Sequence, residues 1–138
     1  MKQLFIMLLL AIAPALAAAQ QERPFDAKIS NSEYKIYIRM NLYDKDVTVP
    51  GQDVYGQVDG YIGSTQSRNI WLVISSEIID GRTAELEMVN DYGSEDLKAE
   101  LKLNDDGTYT FKKKGGSTMK FAVKGKWQKI PGSFELQK

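Results

Sequence analysis

The chain predicts an all-β domain. Its expected form is a single antiparallel meander of about eight strands, closed or nearly closed into a barrel, with a two-sheet sandwich of the same strands as the alternative. Three observations carry this. Side chains alternate apolar and polar from Tyr34 onward. Glycine, proline, aspartate and asparagine punctuate the alternation at intervals suited to hairpins. Past the N-terminal stretch no segment shows a convincing helical period. A flat sheet of this many strands would expose two edges, and closure removes them. A barrel of that size has an interior filled by side chains or large enough for one small ligand.

The N-terminal stretch, MKQLFIMLLLAIAPALAAAQ, has Lys2, an apolar run from Leu4 to Ala13, Pro14 and then small residues. This is the pattern of a cleaved export signal, expected over 1–19, with scission after Ala17 or Ala19. The run is short for a membrane span, and no later apolar run approaches that length. The expected product is exported, periplasmic or extracellular and soluble, with no stable membrane insertion after signal removal. Residues 20–33 read as a flexible polar leader and 34–138 as the barrel domain.

Composition narrows the chemistry. The sequence has no cysteine, which removes disulfides, thiolate catalysis, Cys-ligated metals and a lipoprotein anchor. It has no histidine, which removes the commonest general base and metal ligand. Lys and Arg total 18 against 18 Asp and Glu, so nothing suggests nucleic acid as a partner. An exported domain without disulfides suits a bacterial periplasm or exterior.

The elements follow in order. In YKIYIRMNL, Tyr34, Ile36, Ile38, Met40 and Leu42 share one face, predicting a half-buried strand. YDKDVTVPGQD is a connection ending in a Pro50-Gly51 turn. In DVYGQVDGYIG, Val54, Gly56, Val58, Gly60 and Ile62 alternate with Tyr55, Gln57, Asp59 and Tyr61, predicting a strand over 53–63. NIWLVISSEII reads as a central strand with Trp71 and Val73 on one side and Leu72 and Ile74 on the other. Asp80-Gly81 then signals a hairpin. A two-residue loop pairs Ile79 with Arg82, whereas a three-residue loop sets Ile74 against Leu86 and Leu72 against Met88. The second places apolar side chains opposite one another and is the expected register.

RTAELEMV alternates Ala84, Leu86 and Met88 against Thr83, Glu85 and Glu87. LKAELKLN contains good helix formers, yet Leu97, Ala99, Leu101 and Leu103 alternate strictly with Lys98, Glu100 and Lys102, so period outranks propensity. A loop of Asp105, Asp106 and Gly107 pairs Leu103 with Tyr109 and Leu101 with Phe111. A loop of Gly115, Gly116 and Ser117 would pair Lys113 with Met119, Phe111 with Phe121 and Tyr109 with Val123. GKWQKI and SFELQK close the chain on either side of Pro131-Gly132.

The order VYGQVDGYIG, NIWLVI, TAELEMVN, LKAELKL, GTYTF, KGKW, FELQ resembles small exported bacterial proteins with a lipocalin-like or avidin-like meander barrel. The matching positions are Gly56 and Tyr61, Leu86 with Glu87, Gly125 with Trp127, and Phe134 with Leu136. The resemblance covers most of 34–138. It implies an exported meander barrel of a kind whose functions are mostly unassigned, and it brings no particular ligand with it.

The candidate ligand-binding residues are Tyr55, Gln57, Asp59, Tyr61 and Trp71. An aromatic face with a few polar groups is how small pockets orient ligands. Burial alone favours the opposite arrangement, with Val54, Val58 and Ile62 inward and the tyrosines in water. Trp71 and Trp127 equally suit core packing, Trp127 at a barrel end. Lys112, Lys113 and Lys114 before Gly115-Gly116 read as a solvated hairpin tip, since the spacing matches no phosphate loop. Glu77, Glu85 and Glu87, beside Lys98, Glu100 and Lys102, read as cross-strand charge pairs on a wet surface. Asp105-Asp106-Gly107 is too short for a calcium loop. No catalytic residue, metal or cofactor is expected.

The function expected is therefore an exported, non-enzymatic binding protein, holding a small apolar or amphipathic molecule in the barrel mouth or interior. The alternative is a module that meets an extracellular protein, such as a hydrolase it inhibits, through loops 43–53, 90–96 and 112–118. Interior volume separates the two. If Met40, Leu72, Leu86, Phe111, Phe121 and Trp127 fill the barrel, the interior ligand loses ground to the loops.

Overall fold

The computed structural model describes residues 23–138. The expected signal at 1–19 and the first residues of the leader lie outside the described residues. The described chain is all β. Ten strands form, β1 (Asp26–Asn31), β2 (Ile36–Asn41), β3 (Gly60–Ser64), β4 (Ser67–Asp80), β5 (Thr83–Asn90), β6 (Asp96–Leu103), β7 (Tyr109–Gly116), β8 (Lys120–Val123), β9 (Lys126–Lys129) and β10 (Ser133–Leu136).

Eight of them make one antiparallel sheet in the order β1-β2-β3-β4-β5-β6-β7-β10, while β8 and β9 form a separate hairpin. The sheet curls until its first and last strands meet. Ser30 and Gln137 exchange backbone hydrogen bonds at 2.8 and 2.9 Å, and the Asn31 side-chain amide donates to the Glu135 carbonyl at 2.8 Å. The result is a nearly closed barrel, as the alternation predicts.

Alternation decides the two faces. Ile36, Ile38 and Met40 of β2, Ala84, Leu86 and Met88 of β5, and Leu97, Ala99 and Leu101 of β6 all point inward and are buried. The strand reading of 97–103 therefore holds against its helical propensity. Phe111 and Phe134 stack in the interior with ring centroids 4.8 Å apart, and Tyr34 meets Phe134 edge-on. Every strand of the large sheet, and β8, sends at least one buried apolar side chain into this single core.

The structure corrects several expectations. Residues 26–31 form β1 rather than leader, contributing only Ile29 to the core as a fully buried side chain. The expected strand over 53–63 begins only at Gly60. The β4–β5 hairpin has Asp80 opposite Thr83, with Gly81 and Arg82 as its turn, and pairs Val73 with Met88 and Ser76 with Leu86. Two irregularities in β4 pass over Ile74 and Ile79, leaving both exposed. A bulge adds a residue to one strand only, so no uniform register describes this pair. By contrast, Leu103 faces Tyr109 and Leu101 faces Phe111, as the Asp105-Asp106-Gly107 turn implies.

The hairpin expected after β7 does not form as such. Phe111 pairs with Phe134 and Tyr109 with Leu136, so β7 takes β10 as its neighbour and not β8. Lys112, Lys113 and Lys114 lie within β7 rather than at a hairpin tip. Gly116 ends the strand at φ +90°, where a Cβ would stand 2.5 Å from the Asp96 carbonyl oxygen and 2.6 Å from the Leu97 Cα. Only glycine lets the two backbones approach this closely. Residues 117–132 then leave the sheet to form the β8–β9 hairpin before the chain returns as β10.

Candidate functional site

The two ends of the barrel are built differently. At one end lie the 32–35, 65–66 and 91–95 connections and the inserted β8–β9 hairpin. The hairpin and its flanks bring Met119, Phe121 and Ile130 into the core, all buried. The Trp71 indole N–H donates to the Lys120 carbonyl at 3.2 Å, and the Asn69 side-chain oxygen accepts from the Ala122 N–H at 2.7 Å. This end is sealed. Trp127, expected inside, stands on the outer side of the hairpin, 56% exposed, with the Lys120 ammonium 4.9 Å above its ring.

The other end is an open mouth. A cup of about 800 Å³ is lined by Arg23, Pro24, Tyr43, Ile78, Gly81, Arg82, Leu103, Gly107, Tyr109 and Lys138. Its wall comes from the segment before β1, from Tyr43 and from the 81–82 and 104–108 turns. The Tyr109 hydroxyl donates to the Pro24 carbonyl at 2.7 Å, and the Tyr43 hydroxyl accepts from the Phe25 N–H at 3.2 Å, so two phenols hold the entering chain across the rim. The Arg23 guanidinium lies 4.6 Å over the Tyr43 ring and donates to Asp44 at 2.9 Å. Arg82 donates to the Asn104 carbonyl at 3.1 Å. Ile78, Leu103 and Tyr43 are only partly buried and pack on the interior core beneath. Every charged side chain in the lining is a cation. Burial, with a smaller contribution from Tyr43, pushes the Tyr109 phenol above its ordinary value, so it remains a neutral donor.

The sequence candidates fall elsewhere. Trp71 is buried inside the sealed end as a packing residue. Tyr55 and Gln57 are exposed on the long connection between β2 and β3, not on a strand. Asp59 is buried and accepts from the Ser76 hydroxyl, with the Lys45 ammonium at 3.4 Å; Lys45 also donates to the Ser76 carbonyl at 3.1 Å. That arrangement fastens the two ends of the connection to β4 and makes Asp59 structural. Tyr61 borders a concavity on the outer wall, itself largely buried.

The connection itself was not anticipated as a cover. Val47 and Val58 pair as an isolated bridge, and Val47, Val49 and Val58 pack on Tyr61 and Leu72 from outside the barrel. Leu72 therefore belongs to this second, external cluster and not to the interior. The β-branched alternation of Val47-Thr48-Val49 is the signal that could have revealed it. Four asparagines are a further signal: Asn31, Asn41, Asn90 and Asn104 each stand at or just past a strand end and bond the following turn through the side chain.

On the outer face Glu77 pairs with Glu85 and Glu85 with Glu100, while Glu87 pairs with Lys98. The expected cross-strand charge pairing therefore holds for Glu87 with Lys98 alone; Glu77, Glu85 and Glu100 line up as like charges, and Lys114, 3.8 Å from Glu100, offsets that row. Among the described residues no group of three or more Asp or Glu is placed to hold a metal ion, and no helix is long and apolar enough to cross a membrane. Comparisons with family models, with curated proteins and with solved structures found no match to the chain.

Proposed function

We propose that this protein is an exported, non-enzymatic binding protein that holds a small amphipathic anion in the open mouth of its barrel. The observation that carries the reading is the composition of the cup. Its partly buried apolar wall of Ile78, Leu103 and Tyr43 is surrounded by the side chains of Arg23, Arg82 and Lys138, and the acids that pair with the two arginines, Asp26, Asp44 and Asp105, stand outside the lining. Apolar surface left open beside a few convergent polar groups is the usual make-up of a small-molecule site. The cations would attract an anionic head while the wall shelters an apolar tail.

The interior is a poorer place for a ligand than the mouth. Met40, Leu86, Phe111 and Phe121 occupy the barrel core in van der Waals contact with their neighbours, and such interiors are as dense as organic crystals. The absence of histidine and cysteine and the solvated disposition of the outer glutamates favour binding over catalysis. The resemblance to small exported meander barrels supports the export part of this reading and carries no ligand with it.

Titration with the fluorescent anion anilinonaphthalene sulfonate, followed by displacement with dodecanoate, tests it. Saturable binding that dodecanoate competes for, and that weakens about tenfold in an Arg23→Glu/Arg82→Glu variant, is the expected result, a change of about 1.4 kcal/mol. Binding that is unaffected by the charge reversals would refute the mouth as the site.

A further inference from the structure

A second concavity, of about 580 Å³, lies on the outer wall between residues 50–52 and strands β2, β3 and β4. Its chemistry is unlike that of the mouth. Three tyrosines line it, Tyr37, Tyr61 and Tyr92, and its charged lining residues are one base, Arg68, and one acid, Asp91. Tyr37 and Tyr61 meet edge to face with centroids 6.0 Å apart. Tyr37 lies across its β3 partner Gly63, where a Cβ would come within 2.6 Å of the phenol oxygen. The glycine thus lets one ring lie against the sheet. Tyr92, on the connection between β5 and β6, is 80% exposed. Asp91 is oriented by the Asn69 amide, which donates to it at 3.3 Å.

We propose that this outer groove binds a neutral oligosaccharide. A pyranose ring has C–H-rich faces and a rim of hydroxyls that both donate and accept. It therefore suits a site that sets the exposed ring of Tyr92 beside the edges of Tyr37 and the largely buried Tyr61, with a carboxylate and a guanidinium at hand. Other occupants fit less well. A purely apolar molecule would desolvate Asp91 and Arg68 without partners. A polyanion would find Arg68 beside the Asp91 carboxylate, and the nearby Lys28 ammonium already engaged over the Tyr37 ring. A peptide that adds a strand needs an open backbone edge, and β3 is already paired with β2 and β4, while β4 is paired with β3 and β5. Recognition here falls to side chains. The volume lies within the range of about 300–1,000 Å³ typical of small-molecule sites.

Affinity electrophoresis of the full chain through gels containing soluble starch, dextran, xylan or mixed-linkage β-glucan tests the proposal. At least one glycan should retard the protein, with the apparent dissociation constant rising about tenfold or more in Tyr92→Ala and in Arg68→Ala. Both substitutions are on exposed side chains, and circular dichroism should show the fold unchanged. Trp127→Ala, which removes an exposed aromatic of the β8–β9 hairpin outside the groove, should leave retardation as it was, and so should the Arg23→Glu/Arg82→Glu change at the mouth. No retardation by any of the four glycans would overturn the proposal. So would retardation that survives Tyr92→Ala or disappears with Trp127→Ala. Because the mouth variants are read separately, failure of this groove and failure of the mouth are distinguishable.

Discussion

The sealed and open ends of the barrel use the same materials to different effect. At the sealed end an inserted hairpin supplies Met119 and Phe121, and Ile130 follows directly after it, covering Trp71 completely. At the open end Ile78 and Leu103 sit over the same core with no hairpin above them among the described residues. Of those residues, two phenols and the segment 23–25 cross the rim there. The core is continuous, so closing the mouth is not a requirement for forming the barrel. Burial is complete where the chain provides its own cover. Where no such cover stands among the described residues, Ile78 and Leu103 stay only partly buried.

The contrast can be broken by truncation. Trp71→Ala should cost about 3–5 kcal/mol, since it empties a fully enclosed site and leaves the Lys120 carbonyl without its donor. Chemical denaturation measures this directly, and a loss below about 1 kcal/mol would mean that the hairpin is not a true seal. Gly116→Ala, at the close approach of β6 and β7, should cost about 3 kcal/mol through its positive φ and the backbone clash. Leu103→Ala at the mouth should cost less than either, about 1–2 kcal/mol, because the side chain is only partly buried. An equal loss from Trp71→Ala and Leu103→Ala would erase the distinction between the ends.

The smallest effect sharpens the comparison through pH. Tyr109→Phe removes one hydrogen bond to Pro24 and should cost about 0.5–1.5 kcal/mol near neutrality. The Tyr109 phenol is raised by burial, as is that of Tyr61, where the nearby Tyr37 adds to the effect. The folded protein therefore keeps protons that the unfolded chain releases above the ordinary tyrosine value near 10. Stability from this source is full below that value and is lost as pH rises through the higher folded value. In unfolding curves collected from neutral to strongly alkaline pH, the decline above pH 10 should be shallower for Tyr109→Phe than for the parent. An identical decline would show that the phenol at the rim is as accessible as a free one.

Much of the barrel was legible in the chain because alternation is a local signal. Leu97, Ala99 and Leu101 announce an inward face despite their helix-forming neighbours, and Asp105-Asp106-Gly107 fixes the register of β6 on β7 from Leu103 to Ala99, beyond which a bulge at Lys114 shifts it. The β4–β5 register was not legible, since nothing around Ile74 or Ile79 marks a bulge and both look like ordinary strand residues. The β7–β10 pairing was missed because reading hairpins in sequence assumes that neighbours in the chain are neighbours in the sheet. Strand β1 was missed because DAKISN presents one strongly apolar residue, too few for a period.

The candidate site fared worse for a related reason. Residues 53–59 alternate like a strand but lie on a connection, so the faces assigned to Tyr55 and Gln57 have no sheet to belong to. Asp59 was visible as a polar residue, but its partners Lys45 and Ser76 are remote in sequence. The mouth gathers residues from the segment before β1, from Lys138 and from three turns, and no short stretch contains enough of them to form a motif.

The seam between β1 and β10 has a temporal consequence. Its Asn31–Glu135 contact joins residues 104 positions apart, and β1 has no other partner on that side. The six strands from β2 to β7 can zip sequentially from nearest-neighbour hairpins, but the ring shuts only after β10 is available. Closure is thus the step with the greatest loop entropy, and it should set the slow phase of folding. Until then the nascent sheet has two raw margins, a state in which the chain is vulnerable to pairing with another copy of itself.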